Sequence, residues 1–297
     1  MPPAPGDLHA AFGGRFCAFK LLGCGGEGAV FSAHDRAQRR DVALKLARDT
    51  KEPGLAERFE REHHILAATR SPLLVTVYCS GRVAIRGADG VGIDHFWYSM
   101  ERCRSSVRQE LACMSLGERL AVATQTLDGL SLLHAKNIAH RDIKPENLFL
   151  TIAAGRAAVK IGDFGIATVT RVAPNAVSGV VHGSPVYLAP ERWAGDQDAD
   201  WRPADQYGAG VTIFELLSAG ALPLDFSVGA LRAHARGAVR PLAIPELRRR
   251  RVPRVDEVIE QTLRKRPEDR FSSVAECKLA LCAALAMEGV DPARIAR

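Results

Sequence analysis

His140-Arg141-Asp142-Ile143-Lys144-Pro145-Glu146-Asn147 runs directly into Leu148-Phe149-Leu150, a short apolar stretch with strand character. Four charged side chains and an amide crowd into eight residues. Taken singly, each has an ordinary reading: Asp142 is a loop acid and Asn147 caps a turn. Twenty-one residues beyond Asp142 stands Asp163-Phe164-Gly165, and Ala189-Pro190-Glu191 follows further on. Asp163, two residues before a glycine, also reads alone as a turn residue.

Upstream, Gly23-Cys24-Gly25-Gly26-Glu27-Gly28 lies between two strand-like runs. Glycines let backbone amides approach phosphate oxygens without interference from side chains. A dinucleotide-binding glycine motif would open a helix at once, with an acidic residue about 20 positions on. Ala29-Val30-Phe31-Ser32 reads as strand instead, so that reading fails. Seventeen residues after Gly28, Lys45 closes the apolar run Val42-Ala43-Leu44. Leu55, Phe59, Glu62 and Leu66 then fall on one face of one helix. Glu62 thus sits in a buried stripe, where an ionised carboxylate is costly unless paired. Lys45 is the expected partner, which places an ammonium near the glycine loop.

Over the whole chain, strands are expected at Phe16 to Gly23, Ala29 to His34, Asp41 to Leu46, Leu74 to Ser80 and His95 to Met100. A helix is expected from Gly54 to Ala68, and a glycine-rich connection from Gly81 to Gly92. After Arg102 the character turns helical. Leu116, Leu120, Ala123, Leu127, Leu130 and His134 recur at helical spacing, and further helices are expected at Asp205 to Ser218, Val255 to Leu263 and Ser273 to Ala286. The expected architecture is α+β: a small β-rich lobe with one key helix, joined near residues 101–104 to a larger, mainly helical lobe. A cleft between two such lobes is a natural ligand site.

The ordered set of motifs closely resembles the eukaryotic-type protein kinases in the form found as bacterial serine/threonine kinases. The resemblance covers residues 15–287, divided into an N-lobe of 15–102 and a C-lobe of 103–287, with short tails at 1–14 and 288–297. It implies that Gly23, Gly25 and Gly28 cover the ATP phosphates and that Lys45, held by Glu62, contacts them. It implies Asp163 and Asn147 as ligands of Mg²⁺ (Mn²⁺ as a substitute), Asp142 as acceptor of the substrate hydroxyl proton, and Lys144 as the cation that neutralises the phosphoryl group in transfer. Met100 would stand behind the adenine, Glu101 and Cys103 would meet it through their backbones, and Val30 and Ala43 would roof it. The family pairing joins Glu191 to Arg270 and uses Asp205 to brace the catalytic loop. Lys144 followed by Pro-Glu-Asn resembles the serine/threonine class. Ser184 stands where threonine is more usual, with the hydroxyl retained. Arg141 is the family's receptor for an activation-loop phosphate, with Thr168, Thr170 and Ser178 as candidate phosphosites.

Composition narrows the alternatives. The net charge of +6 is concentrated in residues 248–270, which hold nine basic and five acidic side chains and begin with Arg248 to Arg251. No interleaved aromatics accompany that run, so a solvated face is expected rather than nucleic-acid binding. The seven cysteines are scattered, without Cys-x-x-Cys spacing, and are expected as reduced thiols. No run reaches the 18–20 apolar residues of a membrane span, and the N-terminus lacks a secretion-signal pattern, so a cytoplasmic location is expected. Three functions compete: a protein kinase, a small-molecule phosphotransferase and an inactive nucleotide-binding scaffold. Gly183-Ser184-Pro185-Val186-Tyr187-Leu188 resembles a peptide-docking segment and favours protein Ser/Thr substrates; a homodimer is an assembly the resemblance allows.

Overall fold

The computed structural model describes residues 2–25, 28–48, 60, 63–65, 67–86, 92–153, 156–164, 168–169, 185–193, 200–245 and 252–290. The chain forms two compact units, Met1–Arg104 with Asp163–Gly165, and Ser105–Gly162 with Ile166–Arg297.

The first unit is built on an antiparallel five-stranded sheet of β1 (Phe16–Cys24), β2 (Gly28–Asp35), β3 (Arg40–Ala47), β4 (Val77–Arg86) and β5 (Gly92–Glu101), in the order β1-β2-β3-β5-β4. Strand alternation sorts its side chains into two faces. Phe31 lies opposite Leu44, and Leu46 opposite Trp97; with Val42, Phe16 and Ile85 they make an apolar core. On the other face Val30 lies opposite Lys45, Lys45 opposite Tyr98, and Ala43 opposite Met100. One face therefore holds the sheet together, and the other carries the residues expected to meet a nucleotide.

Residues 1–14, expected as a tail, instead include a helix, α1 (Pro5–Ala11), whose Leu8 is fully buried in that core. Phe12 meets Phe16 and Trp97 edge-on at ring distances of 5.1 and 5.2 Å. Pro5 at the first helical position starts the helix without losing a needed N–H donor. Arg15 lies over Phe16 and Trp97 and donates to Asp35. Burial opposes the charge of Asp35, but Arg15 and the Ala37 and Gln38 amides outweigh it and hold the carboxyl below its usual range.

The expected glycine-rich connection is also corrected. β4 continues through Gly81 to Arg86, paired with Gly92. Gly81 is no breaker here: a Cβ would come within 3.2 Å of the Trp97 indole, so the missing side chain makes room for a core aromatic. Of the expected helix at 54–68, helical backbone is described at Glu60, His63–Ile65 and residues 67–68; Leu55, Phe59, Glu62 and Leu66 lie outside the described residues.

In the second unit, α2 (Leu116–Ala135) opens on a capping box. The Ser115 hydroxyl accepts from the Glu118 amide, and the Glu118 carboxylate accepts from the Ser115 amide. Its apolar stripe packs against α3 (Arg202–Leu217), which is buried along almost its whole length. Arg119, fully buried, donates to the Leu216 and Leu217 carbonyls and closes the C-terminus of α3. A short helix α4 (Ala230–Arg236) follows, then α5 (Pro253–Thr262) and α6 (Val274–Met287). At Gly210 a Cβ would lie 2.7 Å from Thr262, so glycine permits the close approach of α3 and α5. β6 (Ile138–Ala139), β7 (Leu148–Ala153) and β8 (Arg156–Ile161) flank the catalytic-loop sequence. Thr168, in the short strand β9 (Thr168–Val169), pairs with Ala139. Arg248 to Arg251 lie outside the described residues. Among the described residues no helix is long and apolar enough to cross a membrane.

Candidate active site

The candidate functional residues fall into two groups, one in each unit. In the first unit, Lys45 projects from β3 and its ammonium lies 2.9 Å from the Asp163 carboxylate. Lys45 is 7% exposed, while the Asp163 side chain is 41% exposed and so open to a further ligand. Asp163 has a positive φ of 62°, a conformation disfavoured for residues with a Cβ. Glu62, the expected partner of Lys45, lies outside the described residues.

The glycines separate into two kinds. A Cβ at Gly28 would meet the Leu46 carbonyl at 2.1 Å, so glycine is required there by the approach of β2 to β3. At Gly23 and Gly25 nothing lies within 4 Å of a would-be Cβ. The Gly25 amide donates to the Gly28 carbonyl at 2.8 Å and closes the turn. At the end of β5 the Glu101 amide donates to Thr76, so an adenine amine would be met by the Glu101 carbonyl rather than its N–H. Cys103 follows, partly buried and in no disulfide. Val30, Ala43 and Met100 on one sheet face suit a flat apolar heterocycle, and Lys45 on the same face suits phosphate.

In the second unit, Asp205 organises the loop of residues 140–147. It sits in the first turn of α3 and accepts from the His140 amide at 2.8 Å and the Arg141 amide at 2.6 Å. His134 Nε2 lies 2.9 Å from the same carboxylate. His140 Nδ1 accepts from the Asp142 amide, so Nε2 carries the proton and donates to the Gly162 carbonyl. Asp142 is thereby fixed at the backbone. Its Oδ2 accepts from Lys144 at 2.6 Å and from the Asn147 amide nitrogen at 2.9 Å. With its nitrogen engaged by Asp142, Asn147 has its carbonyl oxygen to offer a cation. The carboxylate of Asp163 and the amide oxygen of Asn147 are each hard oxygen donors of the kind that would suit Mg²⁺. Among the described residues there is no cluster of three His, Cys, Asp or Glu that would hold a metal unaided.

Arg270 grips Glu191 with two hydrogen bonds of 2.7 and 2.8 Å, the side chain of Arg270 being fully buried. Thr170, Ser178 and Ser184 lie outside the described residues. The sequence reading missed a neighbouring network. Arg108 donates to Glu146, Glu215 and the Tyr187 hydroxyl, and Tyr187 donates to Glu215. Burial and the Glu215 charge raise the Tyr187 phenol, so it remains a donor. Burial opposes the Arg108 charge, yet its carboxylate partners raise it further. A signal existed: Glu215 stands in an apolar run and required a cation.

The model of the protein kinase domain matches residues 16–281. Serine/threonine-protein kinase pkn2 of Myxococcus xanthus is 35% identical over 271 residues, 86% of this chain and 31% of the relative. Serine/threonine-protein kinase PksC of Streptomyces coelicolor is 32% identical, over 89% of this chain and 48% of the relative. Serine/threonine-protein kinase PknA of Mycobacterium tuberculosis is 33% identical, over 88% and 59%. The chain thus spans from about a third to three-fifths of the length of these curated relatives. By its motifs, its fold and this match, the chain belongs to the protein kinase domain family.

Proposed function

We propose that this chain is a serine/threonine protein kinase that transfers the γ-phosphoryl group of ATP to serine and threonine hydroxyls of proteins, its own included. The observation that carries the reading is the Asp142 carboxylate, held by a loop pinned to Asp205 and bonded to Lys144 and Asn147. Phosphoryl transfer asks little covalent chemistry of the protein; positioning and charge stabilisation dominate.

In this reading Asp142 accepts the proton of the substrate hydroxyl and orients its oxygen toward the γ-phosphorus. Lys144 offsets negative charge on the transferring group. Lys45 holds the α- and β-phosphates, and Gly23, Gly25 and Gly28 cover them. Met100, Val30 and Ala43 surround the adenine, with the Glu101 and Cys103 backbones at its polar edge. Asp163 and Asn147 would hold Mg²⁺, or Mn²⁺ in its place, which supplies neutralisation of phosphate charge. The Arg270–Glu191 pair keeps the peptide-docking segment rigid, because loss of either partner strands a buried charge. Protein substrates are the partners this reading requires, and a homodimer would let one copy act on the loop of another. A cytoplasmic setting suits an ATP-consuming enzyme whose described cysteines form no disulfide.

The test is incorporation of γ-phosphate from Mg-ATP into a generic basic protein and into the chain itself. Phosphoserine or phosphothreonine is expected, and Asp142→Asn and Lys45→Met should abolish it. Full activity of Asp142→Asn would refute the catalytic assignment. ATP binding without turnover on any protein would favour a scaffold, and turnover on small hydroxyl compounds alone a small-molecule phosphotransferase.

A further inference from the structure

Arg108 stands in a short helical turn, Val107–Glu110, that is anchored twice. Val107 is fully buried, and the Ser106 amide donates to the Gln109 side chain at 2.9 Å, which starts the turn. The turn packs against Pro145–Asn147 of the catalytic loop. From that base the Arg108 guanidinium reaches three separate segments. Its Nε donates to Glu146 at 2.8 Å and its Nη1 to Glu215 at 2.6 Å. Its Nη2 donates to the Tyr187 hydroxyl at 2.6 Å and to Glu215 at 3.2 Å. Only the planar fork of a guanidinium can serve three such partners at once.

Two of these partners lead to functional segments. Glu146 immediately precedes Asn147, whose side-chain amide donates to the Asp142 carboxylate at 2.9 Å. Tyr187 lies in the docking segment, two residues after Pro185, whose carbonyl is held by His234 Nε2 at 2.9 Å. The Tyr187 hydroxyl accepts from Arg108 and donates to Glu215 at 2.8 Å, so the ring cannot swing away without breaking both bonds. The third partner, Glu215, is the costly one. Its side chain is 4% exposed and sits near the C-terminal end of α3, where the carbonyls of the helix disfavour an anion. Apolar side chains commonly replace buried ion pairs without loss of stability, so a carboxylate kept here points to geometry rather than to stability.

We propose that Arg108 is a positioning residue that holds the protein-substrate docking segment in register with the catalytic loop, acting through Tyr187 on one side and Glu146 on the other. The proposal rests on the kinase reading for its catalytic consequence, but the bracing of Tyr187 stands without it. Glu215, on the buried α3, is the fixed point against which both segments are set. All four residues belong to the second unit, whereas Lys45 and the glycine loop belong to the first. Loss of the brace therefore affects the protein substrate and the transfer step, and leaves the affinity for ATP nearly unchanged.

The test measures kcat and KM, for ATP and for a generic basic protein, on variants of the full chain. Tyr187→Phe keeps the ring and deletes only the hydroxyl. It should raise KM for the protein about fivefold, with kcat and KM for ATP within about twofold of wild type. Arg108→Ala should show the same rise in protein KM and, because Glu146 is also released, a fall of about tenfold in kcat. Guanidinium ion, added well below denaturing concentration, should restore most of the kcat of Arg108→Ala and none of the protein KM of Tyr187→Phe. Arg108→Lys should not recover the loss, since one ammonium cannot meet three partners. If Arg108→Ala does not fold, Tyr187→Phe and Glu146→Gln divide its effects, the first changing protein KM and the second kcat. Hydrogen exchange of amides 186–189 gives a readout independent of activity, and both Tyr187→Phe and Arg108→Ala should accelerate it about fivefold without altering α2. Equal changes in the two KM values, wild-type behaviour of Arg108→Lys, or unchanged exchange and protein KM in Tyr187→Phe would overturn the proposal. If wild type phosphorylated no protein, the kinase reading would fail, and the exchange result alone would decide whether Arg108 braces the segment.

Discussion

Replacing Arg270 by methionine keeps an unbranched side chain of similar reach and removes every donor. The buried guanidinium makes five hydrogen bonds: two to Glu191, and one each to the carbonyls of Arg264, Pro203 and Lys265. Without it the Glu191 carboxylate, only 17% exposed, keeps its charge but loses its counter-ion. Breaking a buried pair from one side costs about 3–5 kcal/mol, most of it the desolvation of the stranded charge. For a chain of this size that corresponds to a fall in the unfolding midpoint of roughly 10 °C. Glu191→Gln should cost less, about 1–2 kcal/mol, because Arg270 retains its three carbonyl partners. The double variant Arg270→Met/Glu191→Met should be more stable than the sum of the single losses implies, since it strands neither charge. Urea and thermal unfolding of the four proteins would measure this. A loss below about 1 kcal/mol in Arg270→Met, or strictly additive single effects, would refute the argument that the pair acts as one buried unit.

Leu8→Ala should lower stability by about 2–5 kcal/mol in urea unfolding, because Leu8 is fully buried although it lies before the matched kinase domain. Gly28→Ala should destabilise the first unit through the clash with the Leu46 carbonyl; Gly23→Ala should leave the melting temperature unchanged and weaken only nucleotide binding, as isothermal titration would detect. Burial pushes His234 down to about 4, the Pro185 carbonyl opposing and Lys265 reinforcing the shift. The unfolded chain, with histidine near 6.5, then binds more protons, so stability should fall as pH drops from about 6.5 to 4, by up to about 3 kcal/mol. That dependence should vanish in His234→Asn when urea midpoints are compared across the same range.

Local pattern revealed much of this molecule. β1 to β3 follow from alternation and from the glycines between them, and α2 from its apolar stripe and capping box. The loop at 140–147 and its brace at Asp205 were reached through motif order, since a loop carries no period. α1 escaped because three prolines and few large apolar residues resemble a tail until the Trp97 and Phe16 rings supply its partner. Gly81 was misread because one residue type both breaks strands and makes room for an indole, and only the facing strand distinguishes the two. The contacts of Arg108 with Glu215, and of Arg141 with Trp201, join residues 107 and 60 positions apart. No periodicity records such pairs; the unpaired look of Glu215 in an apolar helix was the nearest trace.

The membership of Asp163 in the first unit has a consequence for biosynthesis. Lys45 and Asp163 are 118 residues apart, and the second unit is partly encoded between them. At roughly 5–20 residues per second, the ribosome needs about 6–24 s after making Lys45 to supply its carboxylate partner. The nascent sheet therefore spends that interval without this ion pair. A first unit released at Arg104 would never acquire it. Completion of the amino-terminal half is thus tied to translation of the carboxy-terminal half, which makes the intervening chain a timing element for folding as well as a carrier of the catalytic loop.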